Sequence, residues 1–271
     1  MIPKILILFY VLTSISFITY LFWRKKRILI ASRILFGISM GLHLLLLFRL
    51  SFQMTGLPML YPVQAANMMV FFSSLVFLFF TFKRSTAVLG AFFLPIASFV
   101  MGLILPYLQA DSTYSLTTPQ IWYPLHTLTV IGGEALFAVA FVVSIVYLVH
   151  DSIIRKGDIH SPASSLPPLK MLDRILSLSM GAGFVAITAG MIFGALWASS
   201  AGITYSHLAT KASAGSLNWF VFAFSLHQRF AIGWAGKRTA IITILGFVLM
   251  ILLFIILNFL FPHAHGIGLL R

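Results

Sequence analysis

Long apolar runs separated by short polar segments follow one another along the whole chain. Each run holds about 20 residues, the length that an α-helix needs to cross a hydrocarbon core of roughly 30 Å. The pattern predicts eight transmembrane helices, over residues 5–23, 28–48, 63–82, 87–108, 125–150, 174–197, 213–230 and 239–261. Transmembrane strands would alternate apolar and polar residues over about 10 positions, and the sequence lacks that pattern. We therefore expect an all-α, polytopic helical bundle that forms a single membrane domain over residues 1–271.

Composition agrees with a membrane protein and argues against several other classes. Hydrophobic residues make up 60% of the chain and charged residues 8%, whereas a soluble domain has about 25% charged residues. The formal net charge is +13, but the basic residues lie at helix ends and not on one face. Membrane lipid is therefore the expected surrounding, and nucleic acid is not an expected partner. Because the chain has no cysteine, disulfides, thiolate metal sites and CxxC chemistry are excluded.

The distribution of lysine and arginine predicts how the helices are oriented. Alternate connections hold most of the 18 basic residues, namely Arg24, Lys25, Lys26, Arg27, Lys83, Arg84, Arg155, Lys156, Lys170, Arg174, Arg229, Lys237 and Arg238. The opposite side has Lys4, Arg49, Lys211 and Arg271. Cytoplasmic connections are enriched in basic residues, so both termini are predicted to lie on the non-cytoplasmic side. Length and topology suit a bacterial inner membrane, with an organellar membrane as the alternative.

Histidines recur on the segments that this topology places at the outer surface. His126 lies at the start of the fifth helix, His207 follows the sixth helix, and His263 and His265 lie in the tail. Neutral imidazole is a good ligand of haem iron, and two imidazoles on opposite sides complete a six-coordinate haem. Zinc is the competing metal, although no HExxH pair accompanies these histidines. The simpler interpretation is that they are amphipathic residues at the membrane boundary.

The predicted connection between the sixth and seventh helices adds aromatic and cationic groups. Trp197 ends the sixth helix, and Tyr205 and Lys211 lie in the predicted loop beside His207. Aromatic side chains, a histidine and a lysine together suit a flat, apolar, anionic ligand. For haem, Trp197 and Tyr205 would support the ring, and Lys211 would pair with a propionate.

Glu134 is the one acid inside a predicted span, where a buried charge would be costly. It lies eight residues after His126, about two turns along the same helix face. The sequence leaves three roles open for it: orienting a ligand, relaying a proton, or pairing with Arg33 or a polar group of another helix.

Several motifs resemble those of the haem-handling membrane proteins that include CcsA, ResC, CcmC and the HemX-like proteins. The motifs are Pro124-Leu125-His126, Gly194-Ala195-Leu196-Trp197-Ala198, Trp219-Phe220-Val221-Phe222-Ala223, Leu226-His227-Gln228-Arg229 and Gly233-Trp234-Ala235-Gly236-Lys237-Arg238. The resemblance identifies residues 110–266 as a core that is similar to the cytochrome c assembly domain, and it is weaker in the first four helices.

The resemblance implies a haem, expected to be haem b, held at the outer face. His126 and His265 would ligate the iron, with His263 or His207 as the alternative to the second ligand. His227 is similar to a membrane histidine associated with haem passage. Trp219 is similar to the tryptophan that follows the tryptophan-rich WWD loop of the family. The equivalent loop here lacks the tryptophans and the aspartate, while Lys211 is retained.

The resemblance further implies an integral membrane protein of cytochrome c biogenesis that holds or delivers haem and needs no catalytic activity by itself. A second assembly protein with an outer domain is then the expected partner. The alternative is a HemX-like regulator that acts on a haem-synthesis enzyme through the polar linker 151–173. A transporter of another solute is the third interpretation, because Pro95 and the glycines of the sixth helix permit bent helices.

Overall fold

A computed structural model describes residues 2–53, 62–108, 121–157, 166–202 and 205–260 of the chain. The α-helices are α1 (Ile2–Trp23), α2 (Lys26–Gln53), α3 (Pro62–Thr81), α4 (Gly90–Ile104), α5 (Trp122–Lys156), α6 (Leu169–Ser200), α7 (Tyr205–Phe230) and α8 (Lys237–Leu260). Short 3-10 helices, Ala87–Leu89 and Leu105–Tyr107, flank α4. The described ranges contain no strand, so the predicted all-α class is confirmed.

Seven of the helices are long and apolar enough to cross a membrane, which confirms a multi-pass helical membrane protein. The seven are α1, α2, α3, α4 with its flanking 3-10 turns, α5, α6 and α8. With 26 residues, α7 is long enough, but it is too polar to meet the same criterion. Its polar residues include Lys211, Asn218 and the run His227-Gln228-Arg229.

The prediction of a loop up to residue 212 is wrong, because α7 begins at Tyr205. The stretch 205–214 contains neither glycine nor proline, and its alanines, leucine and lysine are good helix formers. The chain reverses at Ala201 and Gly202, where Gly202 has a φ of 65°, a left-handed value that glycine adopts at little cost. The residues expected in a loop therefore lie on the first turns of a helix.

The chain forms two compact units. The first unit contains Met1–Thr117 and Ile145–Leu172, and within it α1 packs on α2 and α4, and α3 packs on α2 and α4. Polar side chains join these helices in the interior. The hydroxyl of Tyr10 lies 2.8 Å from Nδ1 of His43 and 3.0 Å from the hydroxyl of Ser74. Such interhelical hydrogen bonds stabilise helix packing in lipid.

His43 is fully buried in the first unit, and both of its ring nitrogens are engaged. Besides the contact with Tyr10, Nε2 lies 3.1 Å from Oδ1 of Asn67. His43 is thus a structural residue of the helix interface. Arg33 also has its partners within this unit, because its guanidinium donates to the backbone carbonyls of Thr81 and Phe82 at the end of α3.

The second unit contains Thr118–Ser144 and Asp173–Arg271, and glycines bring α5 and α6 together. A Cβ atom at Gly133 of α5 would lie 2.7 Å from Ile187 and 2.9 Å from the carbonyl oxygen of Gly183 on α6. At Gly183 a Cβ would lie 2.8 Å from the ring of Phe137. Side chains larger than hydrogen would push the two helices apart, so small residues set their distance.

Aromatic stacking joins α5 to the remaining helices of the second unit. Phe137 stacks on Phe222 of α7 with ring centroids 3.6 Å apart, and Phe141 stacks on Phe247 of α8 at 4.6 Å. The contacts also fix helix direction. Early residues of α5 meet late residues of α6, and early residues of α6 meet late residues of α7. Both neighbouring pairs are antiparallel, so α5 and α7 run parallel.

Candidate functional site

His126 lies on the second turn of α5, where its imidazole makes a defined hydrogen bond. Nδ1 lies 2.7 Å from the carbonyl oxygen of Gly190 on α6. A carbonyl only accepts hydrogen bonds, so Nδ1 carries the proton and Nε2 keeps its lone pair. No described residue forms a hydrogen bond with Nε2. The half-buried imidazole is thus held in the tautomer that presents Nε2 to a metal or to a hydrogen-bond donor.

Two glycines of α6 make this arrangement possible. A Cβ atom at Gly194 would lie 2.7 Å from Nδ1 of His126, which is closer than such atoms approach. One turn earlier, a Cβ at Gly190 would lie 2.6 Å from Val130. The imidazole therefore occupies the space that a side chain at position 194 would fill.

Aromatic rings line the α6 side of this histidine. The ring of Trp197 lies nearly parallel to that of His126, with centroids 6.4 Å apart and an interplanar angle of 15°. Tyr123 packs against Trp197 at 5.1 Å. A further stack, Trp122 on Phe193 at 6.1 Å, lies on the same pair of helices. An imidazole nitrogen with a free lone pair beside flat apolar rings suits a planar conjugated ligand.

The structure thus brings together two of the predicted site residues, His126 and Trp197. It adds Tyr123, Gly190 and Gly194, whose roles the sequence did not reveal. A signal for Tyr123 was present, because a residue three positions before His126 shares its helix face. The glycine spacing of α6 indicated close helix packing, but it did not indicate that His126 packs against Gly194.

Trp219 lies on α7 and contacts α6. Its indole N–H donates to the hydroxyl of Thr188 at 2.9 Å, and its ring packs against Phe184 with centroids 5.0 Å apart. Thr188 precedes Gly190 by two residues, so Trp219 and His126 contact neighbouring parts of α6. The observed contacts of Trp219 are packing contacts between α6 and α7.

His227 is exposed near the end of α7, beside a set of contacts that we call the Asp173 latch: Asp173, Arg229 and Gly236. The Arg229 guanidinium donates to both carboxylate oxygens of Asp173, at 3.0 and 2.6 Å. The backbone N–H of Gly236 donates to the same carboxylate at 2.9 Å. Asp173 belongs to the start of α6 and Gly190 to its later part. His227 and His126 therefore lie near opposite ends of α6.

The remaining predicted site residues cannot be compared with the structure. His263 and His265 lie outside the described residues. The backbone of Tyr205, His207 and Lys211 belongs to the first turns of α7, but their side chains fall outside what is described. In the described ranges, no three His, Cys, Asp or Glu residues come together as metal ligands would.

Comparisons with known proteins show what the chain is similar to over most of its length. A family model described as Cytochrome C assembly protein matches residues 62–265, which extends further toward the N-terminus than the expected core 110–266. The chain is 29% identical to a protein named cytochrome c biogenesis protein CcsA from Trieres chinensis, over 71% of this chain and 72% of that protein. It is 34% identical to the CcsA of Mesostigma viride, over 38% of this chain and 34% of the relative. For the CcsA of Synechococcus sp. the identity is 36% over 40% of this chain and 31% of the relative.

Proposed function

This chain belongs to the cytochrome c assembly protein family, and from that premise we propose that it holds haem at His126 for delivery to an apocytochrome. A role in cytochrome c assembly agrees with its CcsA relatives. The observation that supports haem is the state of the His126 imidazole. Its Nδ1–H is bound to the Gly190 carbonyl, so Nε2 is the free nitrogen that an iron ligand requires.

Haem would supply an iron that an imidazole nitrogen can ligate. The chain's own residues hold and orient the ligating group. The Gly190 carbonyl fixes the ring and increases the basicity of Nε2, as hydrogen-bond partners of metal-bound histidines do. Trp197 and Tyr123 provide an apolar aromatic surface beside the imidazole. These residues fit a flat, largely apolar ligand with a metal at its centre.

Other residues complete the proposal. His265 is the proposed second axial ligand, with His263 or His207 as its replacement. Lys211 on the first turns of α7 would pair with a propionate, and Tyr205 would lie against the ring. His227, near the other end of α6, is the proposed residue of haem passage.

The proposed setting is a bacterial inner membrane, and the proposed cofactor is haem b. A second assembly protein with an outer domain would bind the apocytochrome, because the described part of the chain consists of helices and short connections. Haem delivery then requires no bond-making chemistry from this chain.

Absorption spectra of the purified protein test the proposal. The control is His160→Ala, which replaces a histidine of the polar segment 151–173 that is not a proposed ligand. Wild type, His126→Ala and this control would be expressed with haem supply and purified in mild detergent, and their spectra would be recorded oxidised and then reduced. We expect a Soret band with low-spin features in wild type and in the His160→Ala control. In His126→Ala the band should weaken several-fold, because the iron loses an axial ligand, and added imidazole should restore part of it.

An equal haem content in wild type and His126→Ala would contradict the assignment of His126. A wild type without haem, even after haemin is added, would contradict haem binding altogether. The alternative function is regulation of a haem-synthesis enzyme through residues 151–173, whose ends belong to α5 and α6 and not to a linker as the sequence suggested. Co-purification of that enzyme would then test it.

A further inference from the structure

Three acidic residues lie in the described ranges, and they differ in their partners. Asp151 pairs with Arg155, and Asp173 pairs with Arg229. Glu134 forms no ion pair with any residue that the structure describes, although it lies in the middle of a membrane-spanning helix. An acid at this depth is a functional candidate, since a membrane interior strongly disfavours an unpaired charge.

The central spans of the other helices of the second unit carry no group that could neutralise Glu134. Between Ser177 and Trp197 in α6, Ala212 and Leu226 in α7, and Ala240 and Leu257 in α8, the sequence contains no titratable side chain. On α5 itself, the nearest titratable residue is His126, two turns away. A carboxylate at this position would have no counter-charge, so the neutral acid is the form that this environment favours.

A neutral carboxylic acid donates one hydrogen bond, and Asn218 of α7 has an acceptor to offer. Its side-chain oxygen is buried and has no hydrogen-bond partner among the residues that the structure describes, and the residue is only 8% exposed. An unsatisfied buried acceptor costs about 1–3 kcal/mol. Native structures retain few such groups, so we expect a hydrogen-bond donor within reach of this oxygen.

Helix register places the two residues at the same depth. Phe137 and Phe222 stack at 3.6 Å and mark where α5 contacts α7. Glu134 precedes Phe137 by three residues, and Asn218 precedes Phe222 by four, so the helix period places each one turn before the stack and on the same helix face as its stacked phenylalanine. Because α5 and α7 run parallel, both residues lie on the same side of the aromatic stack.

We propose that Glu134 and Asn218 form a proton-binding site in the membrane interior of the second unit, in which the protonated Glu134 carboxyl donates to Oδ1 of Asn218. The bound ligand is a proton. Its loss leaves a negative charge about 12 Å along α5 from His126. The inference rests on the packing of α5 against α7 and stands whether or not the chain binds haem.

Infrared spectroscopy of the protein in lipid at pH 7 tests the site. Carboxyl groups in water have pKa values of about 4 and are ionised at this pH, so they contribute no protonated-carboxyl C=O band. We expect wild type to show one such band, sensitive to exchange of H₂O for D₂O. Glu134→Gln should abolish the band, while Asp173→Asn, which removes an ion-paired acid, should leave it unchanged.

Asn218→Leu tests the proposed hydrogen bond. The band should persist and move to higher frequency, because the carboxyl group loses its acceptor. A wild type without any protonated-carboxyl band overturns the proposal, and this result needs no variant to fold. A wild-type band that neither Glu134→Gln nor Asn218→Leu alters belongs to another acid and also overturns it. If Glu134→Gln fails to fold, the wild-type band together with its shift in Asn218→Leu decides the question.

Discussion

At the scale of single residues, a backbone atom decides what His126 can do. The Gly190 carbonyl selects the tautomer of the imidazole, and Gly194 leaves the space in which the ring lies. Neither glycine offers a functional side chain. The candidate site therefore depends as much on the side chains that α6 lacks as on the histidine that α5 provides.

Gly194→Ala is expected to displace the imidazole, because the new Cβ would meet Nδ1 at 2.7 Å. Overpacking of this kind costs typically 1–3 kcal/mol. We expect several-fold less bound haem, measured by the Soret absorbance per protein, and a lower thermal unfolding midpoint. Gly181→Ala is the matched control on the same helix, since its Cβ would meet nothing within 4 Å. That control should retain haem, with a stability gain of up to about 1 kcal/mol from helix propensity.

How much of the site could be predicted from the sequence depends on the type of group. His126 and Trp197 were identified because their side chains are distinctive and lie at predicted helix ends. The Gly190 carbonyl could not be identified, because every residue has a carbonyl and only the helix packing selects one of them. Asn218 and Thr188 were missed for the same reason. Asn218 and Thr188 matter because of the groups that they face on other helices, and a hydropathy pattern does not contain that information.

At the scale of elements, the contact between α5 and α6 is a close glycine-mediated interface. Replacing Gly133 by alanine should force the helices apart, because the new Cβ would meet Ile187 at 2.7 Å and a backbone oxygen at 2.9 Å. We expect a destabilisation of about 1–3 kcal/mol, measured by denaturant unfolding in detergent. Gly132→Ala, one position earlier with open space around its Cβ, should be neutral or stabilising. Equal losses in both variants would show that helix spacing is not set by Gly133.

The Asp173 latch predicts a difference between two acids. Asp173→Asn leaves the Arg229 guanidinium, which is 13% exposed, without its anion, and we expect a loss of about 1–3 kcal/mol from the unsatisfied donors. Asp151→Asn removes an ion pair whose Arg155 is 68% exposed, so its effect should be within about 0.5 kcal/mol. Chemical unfolding of both variants measures the difference, and a larger loss for Asp151→Asn would contradict it.

The start of α7 shows the limit of hydropathy for predicting elements. Apolar runs indicate which residues meet lipid, and they located the helices of the described regions well. Residues Tyr205 to Ala214 are polar but favour a helix, so their composition suggested a loop while their backbone is helical. Hydropathy indicates whether a segment lies in lipid or in water. Helix propensity and the absence of glycine and proline decide whether its backbone is helical.

At the scale of the whole molecule, the membrane orientation remains a prediction from the basic residues. Because the chain has no cysteine, single cysteines give an unambiguous test with a membrane-impermeant maleimide. Ser200 and Ser85 are both exposed and lie on opposite predicted sides. Ser200→Cys should react in spheroplasts, whose inner membrane is still sealed. Ser85→Cys should react only after the inner membrane is permeabilised.

The same labelling decides whether α7 crosses the membrane despite its polar residues. If it does, Ala235→Cys, in the exposed turn before α8, should react only after permeabilisation, unlike Ser200→Cys. Reaction of both positions in sealed spheroplasts would place both ends of α7 on one side. It would also leave the chain with an odd number of crossings and its termini on opposite sides.

The Asp173 latch also has a consequence for the order of events during synthesis. Asp173 is made 56 residues before Arg229 and 63 before Gly236. At about 5–20 residues per second, roughly 3 to 13 seconds separate the carboxylate from its last partner. Until Arg229 is made, the Asp173 carboxylate has no partner at the end of α7. A copy that stops before Arg229 keeps an unpaired acid at the start of α6, a defect that proteases of the cell would meet in unfinished chains and not in complete ones.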